Sequence, residues 1–272
     1  MGIKKYIAIG IAFALLLTAN ISWAGFIDIQ GSTTVEPIAL KVAEVYMEQN
    51  PDIKINITGT GSGDGIKAII DNTTDIANSS RFIKDKEVKD AVSKGVYPVP
   101  FMVAYDCIVP IVHPDNPVEN LTLDQLKSIY SGEITNWKEL GGKNKEILII
   151  SRDRNSGTYE VWKEKVMRNE RMTKDRINLN HNAAIVDRVS QNEKAIGYIG
   201  LGYLTKKTKQ ITVDGIKGSE ETTINGTYPI SRPLYMFTNG WPKLDTLNFI
   251  KFVLHPEKGQ KYVKEVGYVP LY

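Results

Sequence analysis

The alternation of apolar and polar positions along the chain predicts a repeated unit of strand, turn and helix. The segments Phe26–Gln30 and Ile53–Thr58 alternate in a way that is typical of strands. Each is followed by a turn of glycine and hydroxyl residues, and residues 35–49 then carry apolar side chains at helical spacing. This repetition predicts an α/β fold in which helices pack on a mostly parallel sheet.

The same unit occurs in the middle of the chain, around two arginines. The apolar run Ile147–Ile150 predicts a buried strand, and Tyr159 and Trp162 lie on one face of the helix predicted after it. The connecting turn contains Arg152 and the sequence 156–158, Ser-Gly-Thr. Ligands in α/β sheets bind beyond the carboxyl ends of the strands, which is where such turns lie.

Several of these turns carry groups that can bind an anion. The first amides of a helix have no partner inside it, and its N-terminus carries a partial positive charge. Amides, hydroxyls and a guanidinium together suit a tetrahedral oxyanion. One such turn alone is usually a helix cap, but several after successive strands favour a shared anion site. The turns are residues 31–34, 61–65, 79–81 and 152–158.

Two segments interrupt the pattern and predict crossings between two lobes. Val96–Val112 is mostly apolar, but its three prolines and Asp106 argue against a single strand. Tyr228–Thr238 predicts the return crossing. We therefore expect lobe 1 in residues 25–104 and 229–272, and lobe 2 in residues 105–228.

The first residues predict a secretory signal peptide, residues 1–24, that is cleaved after Ala24. Lys4 and Lys5 precede the apolar run Ile7–Leu17, and a small-x-small site ends at Ala24. A membrane anchor is the alternative, but the run is short for a span of roughly 20 residues. Because no cysteine follows directly after the predicted cut, a lipid anchor is not expected. We expect a periplasmic protein.

Composition and charge exclude several classes of partner. Removing residues 1–24 lowers the formal charge from +3 to +1, which does not indicate a nucleic-acid-binding protein. The single cysteine, Cys107, excludes an internal disulfide, and the three histidines show no metal-ligand spacing. We therefore expect no metal and no cofactor, and any anion site must depend on local groups.

The sequence offers no catalytic arrangement for the hydroxyl residues. A nucleophilic serine needs a base beside it, and the chain has no Gly-x-Ser-x-Gly turn. The glycines of residues 61–65 lack the spacing of a dinucleotide fingerprint, and no Gly-Lys-Ser/Thr follows them. These residues predict ligand contacts and a binding protein that is not an enzyme.

Six motifs, in the same order along the chain, give a specific resemblance. The chain resembles the periplasmic phosphate-binding proteins of ABC transporters, which have the type II substrate-binding fold. The resemblance covers nearly all of the chain after residue 24. The motifs occupy residues 31–37, 61–66, 75–81, 151–158, 197–203 and 228–233.

The resemblance implies two α/β lobes, joined by two crossover segments, with inorganic phosphate in the cleft between them. It also implies a monomer that delivers phosphate to an ABC permease in the inner membrane. Carried over motif by motif, the ligand-binding residues are Thr33, Thr34, Ser62, Ser80, Arg81, Arg152, Ser156, Gly157 and Thr158.

One departure from the family pattern bears on selectivity. Ser80 stands where some members carry an aspartate that accepts the proton of monohydrogen phosphate. Asp153 and Asp64 are both candidates for that acceptor. The alternative ligands are sulfate, molybdate and tungstate, because a site without such an acceptor discriminates less against them. A secreted phosphatase or a surface protein without a transport role is a further alternative.

Two arginines near these motifs have a second interpretation. Arg81 is predicted at the site, but it can also pair with a nearby acidic residue such as Asp85. Arg154 is expected to face solvent, because a helix-start anion pocket needs few fixed charges.

Overall fold

The computed structural model describes residues 25–272 and contains the predicted alternation of strands and helices. The predicted signal peptide, residues 1–24, lies outside these residues. The strands are β1 (Gly25–Gly31), β2 (Ile53–Gly59), β3 (Ile76–Ser79), β4 (Pro98–Val112), β5 (Asn120–Leu121), β6 (Leu148–Arg152), β7 (Ile177–Leu179), β8 (Ala195–Gly200), β9 (Lys209–Gln210), β10 (Thr212–Val213) and β11 (Ser231–Asn239).

The helices follow the strands in the expected order. They are α1 (Glu36–Gln49), α2 (Ser62–Ile70), α3 (Asp85–Ser93), α4 (Leu123–Ser131), α5 (Gly157–Lys165), α6 (Asn182–Ser190), α7 (Glu220–Ile224), α8 (Leu244–Leu254) and α9 (Gly259–Glu265). Within residues 25–272, none of the helices combines the length and the apolar character that a membrane crossing requires.

The sheet is parallel at both ends and antiparallel in the middle. Its strand order is β2-β1-β3-β11-β4-β8-β6-β7, with β9 paired to β4. Strand β1 is parallel to β2 and β3, and β6 is parallel to β7 and β8. The two long strands β4 and β11 are antiparallel to each other and connect these halves. This mixed α/β arrangement confirms the predicted two-lobed fold class.

The expectation that Val96–Val112 is not a single strand was wrong. Residues 98–112 form one continuous 15-residue strand, β4. It pairs with β11 along its first part and with β8 near its end, and the register shifts opposite Leu234 and Tyr235. Pro98 and Pro100 lie in the part of β4 that pairs with β11, where an amide that faces away from the paired strand needs no partner in the sheet.

The apolar core changes along each of the two long strands. Val103 and Ala104 belong to a cluster with residues of α1, α8 and α9, whereas Cys107 begins a second cluster around β6 and β8. The second change falls between Ile230, which directly precedes β11, and Leu234 on that strand. The two halves of the sheet therefore pack separate apolar clusters, and a third, smaller cluster around α2 and α3 packs against β3 and Phe237 of β11.

The glycine-rich stretch after β2 also differs from the prediction. Residues 61–65 were expected to form a turn, but α2 begins at Ser62. Gly61 precedes it with a φ of 112°, in the region that only glycine adopts readily. The sharp turn at Gly61 lets the helix start directly, so Ser62 lies in its first turn.

Candidate functional site

The buried hydroxyl groups of the four turns meet between the two halves of the sheet. Thr34 Oγ1 lies 3.0 Å from Thr158 Oγ1. Ser62 Oγ lies 3.2 Å from Ser80 Oγ and accepts a hydrogen bond from the Ser80 amide at 3.0 Å. The structure thus brings together residues that are up to 124 positions apart in the chain.

Close backbone contact holds the turns of the first half together. The Ser32 amide donates to the Asn78 carbonyl at 2.8 Å. A Cβ on Gly31, which has a φ of 130°, would lie 2.3 Å from that carbonyl, and one on Gly65 would lie 2.6 Å from Gly31 Cα. Only glycine permits this approach, which places the turns after β1 and β3 beside the start of α2.

The N-terminus of α5 lies directly against the first half. A Cβ on Gly157 would lie 2.4 Å from Ser62 Oγ and 2.5 Å from Ser80 Oγ. Ser156 caps the helix, since its hydroxyl accepts a hydrogen bond from the Tyr159 amide at 3.2 Å. The first amides of α5, which lack partners inside the helix, therefore lie at the hydroxyl cluster.

Arg152 lies at the end of β6 with only 1% of its surface exposed. Its Nε donates to the Leu179 carbonyl at 3.1 Å, and Nη2 donates to the Asn180 carbonyl at 2.6 Å and to Thr33 Oγ1 at 3.0 Å. Its Nη1 is buried without a hydrogen-bond partner in residues 25–272. Burial lowers the pKa of this guanidinium.

The charge of Arg152 has no carboxylate counterpart. Among the described residues no salt bridge involves this side chain. A buried charge without a partner is costly, so this position suits a bound anion that accepts from the free Nη1.

The guanidinium of Arg81 is paired with a carboxylate. It donates to both carboxylate oxygens of Glu87, at 2.8 and 2.6 Å, and to the Phe82 carbonyl. Despite burial, these hydrogen bonds lower the pKa of Glu87. The acidic partner is therefore Glu87 and not Asp85. The Arg81 backbone still shapes the turn, because Ser79 Oγ donates to its carbonyl at 2.7 Å.

Neither candidate carboxylate contacts the hydroxyl cluster in the described part of the chain. Asp64 instead accepts hydrogen bonds from Asn155 Nδ2 at 3.1 and 3.2 Å, which links the two halves. Burial raises the pKa of the Asp64 carboxyl, and the Asn155 bond opposes that rise. Asp153 is half-buried, and Arg154 is exposed as expected.

The sequence did not identify three residues that contact the cluster. Arg232 Nη2 lies 3.1 Å from Thr158 Oγ1, Asn182 Nδ2 lies 3.1 Å from Thr34 Oγ1, and the Tyr203 hydroxyl donates to the Thr33 carbonyl at 2.7 Å. Arg232 and Tyr203 lie in motifs that the sequence analysis had singled out. Asn182 lies at the start of α6, and nothing in its sequence context distinguishes it.

The hydroxyl cluster and the groups around it are mainly hydrogen-bond donors. The described residues contain no cluster of three or more histidine, cysteine, aspartate or glutamate side chains that could hold a metal ion. A cluster of hydroxyls, helix-start amides and one guanidinium without a carboxylate partner can hold a compact oxyanion by charge-assisted hydrogen bonds.

Comparison with known proteins gives consistent matches over most of the chain. Residues 19–257 match the family model of the PBP superfamily domain. The chain is 37% identical to the phosphate-binding protein PstS of Staphylococcus saprophyticus, over 89% of this chain and 79% of that protein. It is 31% identical to PstS of Bacillus subtilis, over 91% of this chain and 81% of that protein.

Solved structures agree with these matches. A phosphate ABC transporter substrate-binding protein of Clostridium perfringens, solved with bound phosphate, gives a TM-score of 0.85 at 34% identity. The alignment covers 91% of this chain and 100% of that chain. A phosphate transport receptor of the ABC type from Vibrio cholerae gives a TM-score of 0.73 at 30% identity, covering 89% of this chain and 99% of that chain.

Proposed function

This chain belongs to the PBP superfamily and, within it, to the family of PstS phosphate-binding proteins; from that premise we propose that it captures inorganic phosphate and delivers it to an ABC permease. The observation that carries the proposal is the buried guanidinium of Arg152, which has a free Nη1 and no carboxylate partner among the described residues. A bound dianion supplies both the missing acceptor and the missing charge.

The proposed ligand contacts come from both lobes. Lobe 1 contributes the turn after β1, the start of α2 and the turn after β3, through Thr33, Ser62 and Ser80. Thr34, which the sequence also predicted as a contact, lies in the same cluster with its Oγ1 3.0 Å from Thr158 Oγ1. Lobe 2 contributes Arg152 and the helix-start groups of residues 156–158. We leave the Arg81 side chain out of the ligand contacts, because Glu87 already binds its guanidinium.

Closure of the lobes around the anion is the proposed mechanism. Lobe 1 is residues 25–104 and 229–272, and lobe 2 is residues 105–228. The structure contains direct contacts between them, such as the hydrogen bond from the Gly63 amide to the Asn155 carbonyl at 2.9 Å and the Lys84–Glu160 ion pair at 3.0 Å. Closure excludes water, which strengthens each charge-assisted bond.

A different oxyanion is the second candidate ligand. Sulfate carries no proton at neutral pH, whereas monohydrogen phosphate needs an acceptor for its proton. Position 80 of this chain presents a serine hydroxyl, 3.2 Å from Ser62 Oγ, and a hydroxyl can either donate or accept. Ser80 therefore favours phosphate less strongly than a carboxylate would, which keeps sulfate, molybdate and tungstate as candidates.

Titration calorimetry of residues 25–272 with phosphate, sulfate, molybdate and tungstate tests the proposal. We expect tight binding of phosphate and much weaker binding of sulfate. Tight binding of another of these anions, with no phosphate binding, would replace phosphate by that anion. A chromogenic phosphate ester should give no turnover, because the site has donors but no activated nucleophile.

The cellular setting is part of the same proposal. We propose a monomer that acts outside the cytoplasmic membrane after removal of residues 1–24. N-terminal sequencing of the exported protein is expected to give Gly25 as its first residue. Retention of residues 1–24 would indicate a membrane-anchored form instead.

A further inference from the structure

A buried ion pair lies where the two interlobe strands face each other. Asp106 on β4 and Arg232 on β11 are direct cross-strand partners. Arg232 donates from Nε and Nη2 to Asp106 Oδ2, at 3.0 and 2.8 Å. The other carboxylate oxygen accepts from the Leu201 amide at 2.9 Å. Unlike Arg152, Arg232 thus has its charge neutralised inside the protein.

The remaining donors of Arg232 reach groups of both lobes. Its Nη1 donates to the Ser80 carbonyl at 3.2 Å. The second proton of Nη2 lies between Thr158 Oγ1, at 3.1 Å, and Thr34 Oγ1, at 3.4 Å. The Arg232 guanidinium therefore contacts Ser80 and Thr34 of lobe 1 and Thr158 of lobe 2.

Counting donors and acceptors favours one direction for the hydrogen bond between the Thr34 and Thr158 hydroxyls. A hydroxyl has one proton and can accept two hydrogen bonds. Thr34 Oγ1 faces two groups that can only donate, Arg232 Nη2 and Asn182 Nδ2. The Asn182 amide orientation follows from its oxygen, which accepts from the Gly200 amide at 3.4 Å. We therefore assign the proton of Thr34 to Thr158 Oγ1, 3.0 Å away, so that Thr34 supports the anion site through Thr158 and not as a direct hydroxyl donor to the ligand.

The same count applies to Thr158 and Thr33. Thr158 Oγ1 accepts from Arg232 and from Thr34, so both of its acceptor positions are filled. Thr33 Oγ1 accepts from Arg152 at 3.0 Å and faces Asn182 Nδ2 at 3.5 Å. The protons of both hydroxyls are then free to point to a bound anion, and neither oxygen can accept from it.

We propose that Arg232, held by Asp106, is a positioning residue of the anion site that orients the Thr158 hydroxyl as an obligatory donor to the ligand. This inference rests on the proposed function. It adds a second arginine that acts through a ligand-binding hydroxyl and not through its own charge. Because its contacts span both lobes, Arg232 completes the donor array only when the lobes are closed.

A double-mutant cycle of Arg232→Gln and Thr158→Val, measured by titration calorimetry with phosphate, tests this role. We expect Thr158→Val to weaken binding roughly 10- to 100-fold, because one donor to a charged ligand is lost. Arg232→Gln should cause most of that loss. The double variant should bind within about twofold of Thr158→Val alone, because both changes remove the same hydrogen bond.

Two outcomes would overturn the proposal. Unchanged affinity in Arg232→Gln, with a lower melting temperature, would make the ion pair a purely structural element. Additive losses in the double variant would mean that Arg232 acts on the anion directly, through its charge.

Two further measurements keep the test decisive. If Arg232→Gln does not fold, Arg232→Lys replaces it in the cycle and is judged by the same criterion, since lysine keeps the charge beside Asp106 but lacks the forked donors. If the wild type does not bind phosphate, the proposed function fails. The cycle is then measured with whichever of sulfate, molybdate or tungstate the wild type binds.

Discussion

At the scale of single residues, the two buried arginines of the site have opposite electrostatic environments. Arg232 is neutralised by Asp106, whereas Arg152 bonds only to carbonyls and to Thr33. Burial raises the pKa of Asp106, which the arginine opposes, and lowers that of Arg152. An anion in the cleft therefore balances Arg152 and leaves the Arg232 pair unchanged.

Arg152→Ala is expected to weaken phosphate binding more than the loss of any single hydroxyl. An uncompensated buried anion costs about 3–5 kcal/mol, against about 1.5–3 kcal/mol for one hydrogen bond to a charged group. Calorimetry on Arg152→Ala and Ser156→Ala compares the two losses. The ligand-free Arg152→Ala protein should be at least as stable as the wild type in thermal unfolding, because the variant removes an unpaired buried charge. An affinity equal to that of the wild type would refute the role given to Arg152.

Ser80→Asp is expected to increase the discrimination between phosphate and sulfate. A carboxylate at this position accepts the phosphate proton and repels the unprotonated dianion. The measurement is the ratio of the two dissociation constants, compared with that of Ser80→Asn, which has similar volume and no charge. Equal ratios in the two variants would show that position 80 does not face the ligand.

At the scale of secondary-structure elements, the start of α5 decides how closely the lobes approach. A Cβ atom at Gly157 would lie only 2.4 Å from Ser62 Oγ and 2.5 Å from Ser80 Oγ. The sequence correctly predicted most of β1 and β2 and nearly all of α1. It missed the short strand β7 at Ile177–Leu179 and the early start of α2, because short elements depend on neighbours that are distant in sequence.

Gly157→Ala is expected to prevent full closure and to weaken phosphate binding at least tenfold, because the methyl group would overlap with two serine hydroxyls. The matched control is Gly63→Ala, where the nearest atom to the new methyl group is 3.4 Å away, an ordinary contact. Calorimetry gives the affinities, and small-angle scattering with and without phosphate gives the degree of closure. Equal affinities in the two variants would contradict this account.

At the scale of the whole molecule, the net charge is small, but basic side chains are concentrated in one groove. A groove of about 500 Å³ on lobe 2 is lined by Arg154, Lys163, Arg171, Lys174, Arg176 and two glutamates. Both glutamates pair with lysines outside the groove, Glu160 with Lys84 and Glu170 with Lys127. The groove adjoins α5, so its positive potential extends toward the cleft.

The double variant Arg154→Glu, Lys163→Glu is expected to slow phosphate association several-fold at low salt and much less at high salt, because ions screen steering. Stopped-flow association rates across a salt series measure this effect. The control is Lys251→Glu, Lys258→Glu, which makes the same charge change on the opposite lobe. A similar loss of association rate in both double variants would mean that the net charge of the protein, and not the groove, sets the rate.

The sequence by itself determined the local chemistry of the site. Turns of glycine, serine and threonine after strands, together with Arg152, identified the groups that now lie in the cluster, because capping and turn formation depend on neighbouring residues. The alternation of apolar residues likewise determined the α/β class and most helix and strand positions.

Only the tertiary structure decided which charges belong to the site. It paired Arg81 with Glu87 and brought Arg232 to Asp106, which is 126 positions away in the chain. It also placed Asn182 on Thr34, 148 positions away. The reason is physical: the energy of a buried charge or hydroxyl depends on the groups that surround it in space, and strand pairing and lobe closure bring those groups together.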